Sequence, residues 1–163
     1  MIFIGIDNGA SGSCAILNNE HIFYFHIPIK KELNYTKTKK WIHRIDKEGL
    51  KNALLDRLPI AEEPAIIVGL ERPMVNPGRF QATASALRAL EATLIVLEEL
   101  GLPYKYLDSK EWQKVLLPAG LKGEELKEAS LSIGKRLFPS IDFKGFKDAD
   151  GLLIAEYLKR IQK

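Results

Sequence analysis

The chain has 163 residues, is 46% hydrophobic and carries a formal net charge of +3. That size fits one compact domain with a real core, residues 1–163, and the near-neutral total excludes any claim of nucleic-acid binding from bulk charge. The single cysteine, Cys14, excludes an intrachain disulfide and points to a reducing compartment.

The distribution of charge says more than its sum. Residues 30–44 carry Lys30, Lys31, Lys37, Lys39, Lys40 and Arg44 against one acid, Glu32. Lys135, Arg136, Lys144 and Lys147 form a second basic group. Either run taken alone is equally well a solvated face. Cys14, His21, His26 and His43 lack the spacing of a zinc cluster, and Cys14 reads as a small core residue. The apolar run Met1–Ile6 has no charged segment before it and is short. It reads as neither a signal peptide nor a membrane span.

In chain order, Ile2–Asp7 reads as a buried strand ending in an acid. Gly9, Ala10, Ser11 and Gly12 form a tight connection to a second strand, Ser13–Leu17. Asn18, Asn19 and Glu20 form a turn into a third, His21–Ile27. Links this short make the three strands antiparallel neighbours, since a parallel crossover needs a dozen residues or more. Pro28–Arg44 is polar and basic and predicts a long loop or mobile flap. Asp46–Leu58 reads as a helix, with Pro59 and Pro64 bracketing its exit. Ala65–Glu71 is another apolar strand that ends in an acid. Gln81–Leu100 is a long helix stopped by Gly101 and Pro103. Pro103–Leu107 is a fifth strand, and Asp108 or Ser109 caps a short helix through Trp112. Glu124–Leu137 and Asp148–Ile161 are two further helices. The order predicts an α/β fold: a mixed five-stranded sheet, three antiparallel strands and then parallel ones, with helices on both faces.

The long helix is apolar over a wide arc. Leu87, Leu90, Leu94 and Leu97 form one stripe. Ala82, Ala86, Ala89, Val96 and Leu100 form a second, interrupted by Thr93. Such a helix is either wedged between the sheet and another helix or meets a second copy of the chain.

Three acids stand at the ends of apolar elements: Asp7, Glu71 and Asp150. An unpaired carboxylate in a buried run is costly, so something positive must meet them. On a 3.6-residue period Asp150 shares a face with Ile154, Tyr157 and Ile161 and points towards the strand ends. Asp148 is either a cap just before that helix or a further member of the group. Convergent carboxylates without cysteine suit a hard divalent cation, Mg²⁺ or Mn²⁺. Two such ions about 4 Å apart activate a water and stabilise the leaving oxygen of a phosphodiester.

The segment GIDNGASGSCAIL at 5–17 resembles the opening strands of RuvC-like Holliday junction resolvases. GLERP at 69–73 resembles their second acidic strand, and DADGLLIAEYLKR at 148–160 their final acidic helix. The resemblance runs through nearly the whole chain in the same order. It implies an RNase H-like fold, a homodimer, cytoplasmic residence in a bacterial or phage-infected cell, and Mg²⁺-dependent paired nicking of branched DNA. Carried across, Asp7, Glu71 and Asp150 match the shared acids. The family commonly has Asp or His three residues before the last Asp, where this chain has Lys147. Either Asp148 reaches the metal or Lys147 fills that corner and contacts phosphate. The loop after the second acid offers Arg72, Arg79 and Phe80 for phosphate contact and base stacking. Phe80 equally suits a core staple. Lys37, Lys39 and Lys40 are the expected backbone contacts of the basic segment.

Two rival readings share some of these features. A phosphate-cradling turn between two strands also opens ATP-binding lobes of the actin and sugar-kinase type, but those need two lobes and leave Glu71 and Asp150 unexplained. No nucleotide cofactor is therefore expected. A nuclease of the same fold acting on structured RNA would use the same acids.

Overall fold

A computed structural model of the chain describes residues 1–59 and 65–162. Its main sheet has five strands: β1 (Ile2–Ile6), β2 (Ser13–Leu17), β3 (Ile22–His26), β6 (Ile66–Glu71) and β7 (Tyr104–Leu107). Their order across the sheet is β3-β2-β1-β6-β7. β1 to β3 are antiparallel neighbours, and β1, β6 and β7 run parallel. This is the mixed sheet the spacing predicts.

Strand alternation divides the core into two layers. Ile2, Ile4, Ile6, Cys14, Ile16, Val68 and Leu70 face one side. There they meet α1 (Lys47–Leu55) and α2 (Phe80–Glu99). Phe3, Ala15 and Leu17 face the other side, against α3 (Ser109–Leu116), α4 (Gly123–Leu137) and α5 (Asp150–Ile161). The run Gly151–Ala155 is buried at every position because α5 lies between the sheet and its neighbouring helices. Cys14 is a fully buried core residue, as expected.

The segment Pro28–Arg44 is not a loose flap. It forms a hairpin of β4 (Ile29–Leu33) and β5 (Trp41–Ile45), a separate two-stranded sheet. Ile29 pairs with Ile45 and Leu33 with Trp41. The alternation was hidden by charged residues that pair across the ribbon. Arg44 donates to Glu32, Lys30 approaches the same carboxylate, and Lys31 Nζ lies 5.3 Å from the centre of the Trp41 ring. β5 packs on α2, so the ribbon is anchored to the body. α1 ends earlier than the predicted Leu58, with Asp56–Leu58 in a turn, and Pro64 lies outside the described residues. α3 runs four residues beyond Trp112.

By length and composition alone, Pro77–Glu99 is apolar enough to cross a bilayer. Here Ala89, Thr93, Val96 and Leu97 instead pack on the sheet. Ala89 and Val96 of the second stripe thus belong to the intrachain core, while Ala82 stays exposed and Ala86 half-buried. The exposed large apolar residues of α2 are Phe80, Leu87 and Ile95.

Candidate functional site

Alternation carries the acids to one place. Along β1, Phe3 and Gly5 face α5, so Asp7, just past the strand end, faces it too. Along β6, Gly69 faces Leu107, Ile154 and Leu158, which puts Glu71 on the same side. β1 and β6 are parallel with Ile6 opposite Leu70, so one more step in register sets Asp7 beside Glu71. α5 crosses these strand ends and begins at Asp150.

Asp7, Asp148 and Asp150 can each offer an oxygen such that all three lie within 4.8 Å of one another. Glu71 is not in that tight group, but it lines a cavity of about 340 Å³ together with Asp7, Asn8 and Asp150. Asp148 stands two residues before the helix, with Ala149 at the N-cap, and so lies outside its first turn. The Lys147 side chain is exposed and lines the neighbouring cleft with Asp7, Asp148 and Asp150.

The acids carry the electrostatic signature of a site that wants a cation. Burial, then Asp150 and Asp148, push Asp7 up to about 7. Burial, then Asp7 and Asp150, push Glu71 up to about 9. Burial, then Asp148, push Asp150 up to about 6. Like charges in a desolvated corner disfavour one another's ionisation, and a bound cation reverses that.

Several residues that sequence reasoning did not single out shape the site. Ser130 on α4 donates to Asp150 Oδ1 and accepts from the Ala149 backbone N–H at 3.0 Å. Lys127, one turn earlier, faces the same cleft and lowers the values of Asp7 and Asp150. The spacing Lys127, Ser130, Gly134 on one helix face was the available signal. Ser13 Oγ accepts from Gly151 N at 3.2 Å and ties α5 to β2. Asn8 Oδ1 lies 3.0 Å from the Thr93 hydroxyl, which accounts for a threonine inside an apolar stripe. Asn8 Nδ2 is buried without a partner among the described residues. The Trp112 N–H also completes no hydrogen bond, though it is placed well enough to favour a charged Glu71. Phe146 stacks between Tyr24 and His26, with centroids 4.1 and 4.0 Å away. The Tyr24 hydroxyl donates to the Asp148 carbonyl at 3.1 Å. The loop that presents Asp148 is thus clamped to β3.

The remaining expected residues lie around this centre. Arg72 and Arg79 line the acid cavity, and Arg72 also approaches Asp108 at 3.7 Å. Phe80 is 73% exposed, so it is no core staple. Lys37, Lys39 and Lys40 sit at the hairpin tip and line neither of the acid-lined cavities.

The donor set fits a hard divalent ion: all oxygen, three groups within 4.8 Å, and Asp7 and Asp150 held above the usual carboxylate pKa by burial and by neighbouring acids. A pH dependence follows. Between about pH 4 and 9 the folded chain holds more protons on Asp7, Glu71 and Asp150 than the unfolded chain does. Stability from these groups is fully present below their unfolded values and is lost as pH rises through their folded ones. The Tm of metal-free protein is therefore expected to fall by several degrees from about pH 5 to 9. Added Mg²⁺ is expected to raise Tm more at the upper end. A Tm gain from Mg²⁺ that is equal at both ends would show that these carboxyls are not its ligands.

No protein-family model matches the chain, and no curated protein matches it. Solved structures do. The chain is similar to Thermus thermophilus RuvC in complex with a Holliday junction substrate, at TM-score 0.61 and 16% identity, covering 99% of this chain and 96% of that one. A second structure of Thermus thermophilus RuvC matches at TM-score 0.59 and 17% identity, covering 99% and 97%. Likeness at this identity is likeness of fold, and it agrees with the sheet order and the helices on both faces: this chain has the RNase H-like fold in its RuvC form.

Proposed function

We propose that the chain is a metal-dependent endonuclease that cuts branched DNA, resolving four-way junctions by paired nicks. One observation carries this reading. Asp7, Glu71, Asp148 and Asp150 converge from three separate parts of the chain on one corner, at a desolvation cost recorded in the raised pKa values of Asp7, Glu71 and Asp150. A protein that only bound DNA would gain nothing from that cost.

The four carboxylates would hold Mg²⁺ or Mn²⁺. When bound, such ions activate a water and neutralise charge on the leaving oxygen. The chain's own residues do the rest. Ser130 and the Tyr24–Phe146–His26 stack orient Asp150 and Asp148. Asn8, whose amide oxygen meets the Thr93 hydroxyl, helps to wall the cavity beside Asp7. Lys127, Arg72 and Arg79 supply positive charge around the acids. Lys37, Lys39 and Lys40 add backbone contacts from the hairpin.

The test is a labelled four-way DNA junction incubated with and without Mg²⁺, with nicks mapped on each strand and folded RNA as the second substrate. Symmetric Mg²⁺-dependent nicks in the junction support the reading. Cleavage of RNA alone would transfer it to structured RNA.

Asp148, in the tight acid group, takes the fourth corner in this reading, and Lys147 stays at the rim. Asp148→Asn is expected to lower the nicking rate by more than about tenfold, and Lys147→Ala by only a few-fold. The reverse ranking would assign the corner to Lys147.

A homodimer is part of the same reading. Paired nicks need two acid sets, and Leu87 and Ile95 stay 44% and 36% exposed on α2. Leu87→Arg with Ile95→Arg is expected to halve the mass seen by light scattering, with unchanged circular dichroism and loss of paired nicking. A wild-type chain that stays monomeric with junction bound would remove the dimer.

A further inference from the structure

A groove of about 700 Å³ runs between the tip of the β4–β5 hairpin and the first turns of α2. It lies across α2 from the acid cavity. Ala82, Thr83 and Ala86 line the cavity, whereas Phe80, Ser85 and Arg88 line the groove. Ala10, three residues after Asp7, lines the groove as well. A strand passing over the start of α2 would therefore run from one into the other.

The chemistry of its walls is specific. Tyr35 at the hairpin tip is 90% exposed and Phe80 opposite is 73% exposed. Lys40 and Arg88 line the same groove, and among its described residues none is acidic. Large aromatic rings left in water beside cations that make no salt bridge among the described residues complement a polyanion that also offers flat apolar faces. The tip that presents Tyr35 is closed by backbone and side-chain hydrogen bonds. Asn34 Oδ1 accepts from Lys40 N at 3.1 Å, and Asn34 N donates to the Lys40 carbonyl at 2.9 Å. The ring is thus held out by a closed turn, and β5 fixes that turn to α2.

We propose that this groove holds an unpaired stretch of the DNA strand beside the acid site, its bases stacked on Tyr35 and Phe80 and its phosphates against Lys40 and Arg88. The assignment of the strand to a DNA substrate rests on the nuclease reading above. A continuous duplex shows phosphates and groove edges but covers its base faces. Exposed rings gain from a strand only where bases are unstacked, as at a branch point. A purely electrostatic surface would need the cations and not the rings.

The experiment measures fluorescence anisotropy with the full chain in EDTA, so that binding does not pass through the metal. The probes are a labelled thymidine strand of about 12 nucleotides, an abasic strand of equal length, and a duplex of equal length. Tyr35→Ala is expected to weaken thymidine-strand binding about tenfold, and Tyr35→Phe to bind as wild type. Abasic strand and duplex are expected to change less than about twofold with either variant. Equal binding of wild type and Tyr35→Ala to the thymidine strand would overturn the proposal, as would an equal loss on the abasic strand. Junction nicking is measured in parallel. Nicking with no effect of Tyr35 on strand binding sinks the groove and leaves the nuclease reading. The expected Tyr35 effect without Mg²⁺-dependent nicking sinks the nuclease reading and leaves a strand-binding surface.

Discussion

Asp7→Asn, Glu71→Gln and Asp150→Asn are each expected to abolish junction nicking while junction binding survives. The loss should exceed about a hundredfold, because removing even an outer partner of a metal ligand typically costs about 10- to 100-fold. The same substitutions are expected to stabilise the metal-free fold at neutral pH. Each removes a carboxylate whose ionisation is opposed by burial and by its neighbours, which hold Asp7 up at about 7 and Glu71 at about 9. Thermal unfolding with and without Mg²⁺ separates the two effects. The variants should melt higher than wild type without metal and gain less when it is added. Full nicking by any one of them would remove that residue from the site. A lower metal-free Tm would show that the carboxylate serves the fold instead.

Gly5→Ala is expected to prevent α5 from seating on β1. A Cβ at Gly5 would lie 2.2 Å from the Gly151 carbonyl oxygen and 2.4 Å from Ala155 N. Both are helix backbone, so no rotamer change relieves the overlap. The cost should reach or pass about 3 kcal/mol, the upper end for overpacking, out of a total stability of roughly 5–15 kcal/mol. Urea unfolding should show a large drop in midpoint. Any folded fraction should have lost activity, since α5 carries Asp150 to Asp7. Gly9→Ala is the control. Its Cβ would meet nothing nearer than 3.9 Å, and its midpoint should match wild type. A Gly5→Ala chain as stable as wild type would mean that α5 can lift from the sheet at little cost.

The main architecture was legible because it rests on periodicity and link length. Ile2–Asp7 and Ala65–Glu71 are continuous apolar runs, which mark buried strands, and the short links around Ser13–Leu17 force antiparallel pairing. The hairpin at Ile29–Ile45 was not legible. Its apolar residues are few, and what pairs across it is Glu32 with Arg44 and Lys31 with Trp41, contacts between residues some ten positions apart. The second face of α2 stayed open between the sheet and a second copy for a similar reason. Alanine and leucine stripes look alike to a hydrophobic count, and only the sheet shows that Ala89 and Val96 lie under it while Leu87 does not.

The acids divide along the same line. Asp7, Glu71 and Asp150 stood out because a carboxylate at the end of an apolar run conflicts with its surroundings, and that conflict is written in one dimension. Their convergence follows from strand alternation and the parallel register of β1 and β6, both local rules applied to a known strand order. Ser130, Lys127, Asn8 and the Phe146 stack are ordinary residues in ordinary stretches. They matter only because one face of α4, the ends of β1 and β3 and the loop before α5 meet at the same corner. The sequence by itself determined the order of the main-sheet strands and of the helices, and it singled out three acids at the ends of apolar runs, since each depends on spacing along the chain. The tertiary structure alone decided the place of Asp148, the partners that orient the acids, the hairpin and the groove beside it, since each depends on which distant segments share a surface.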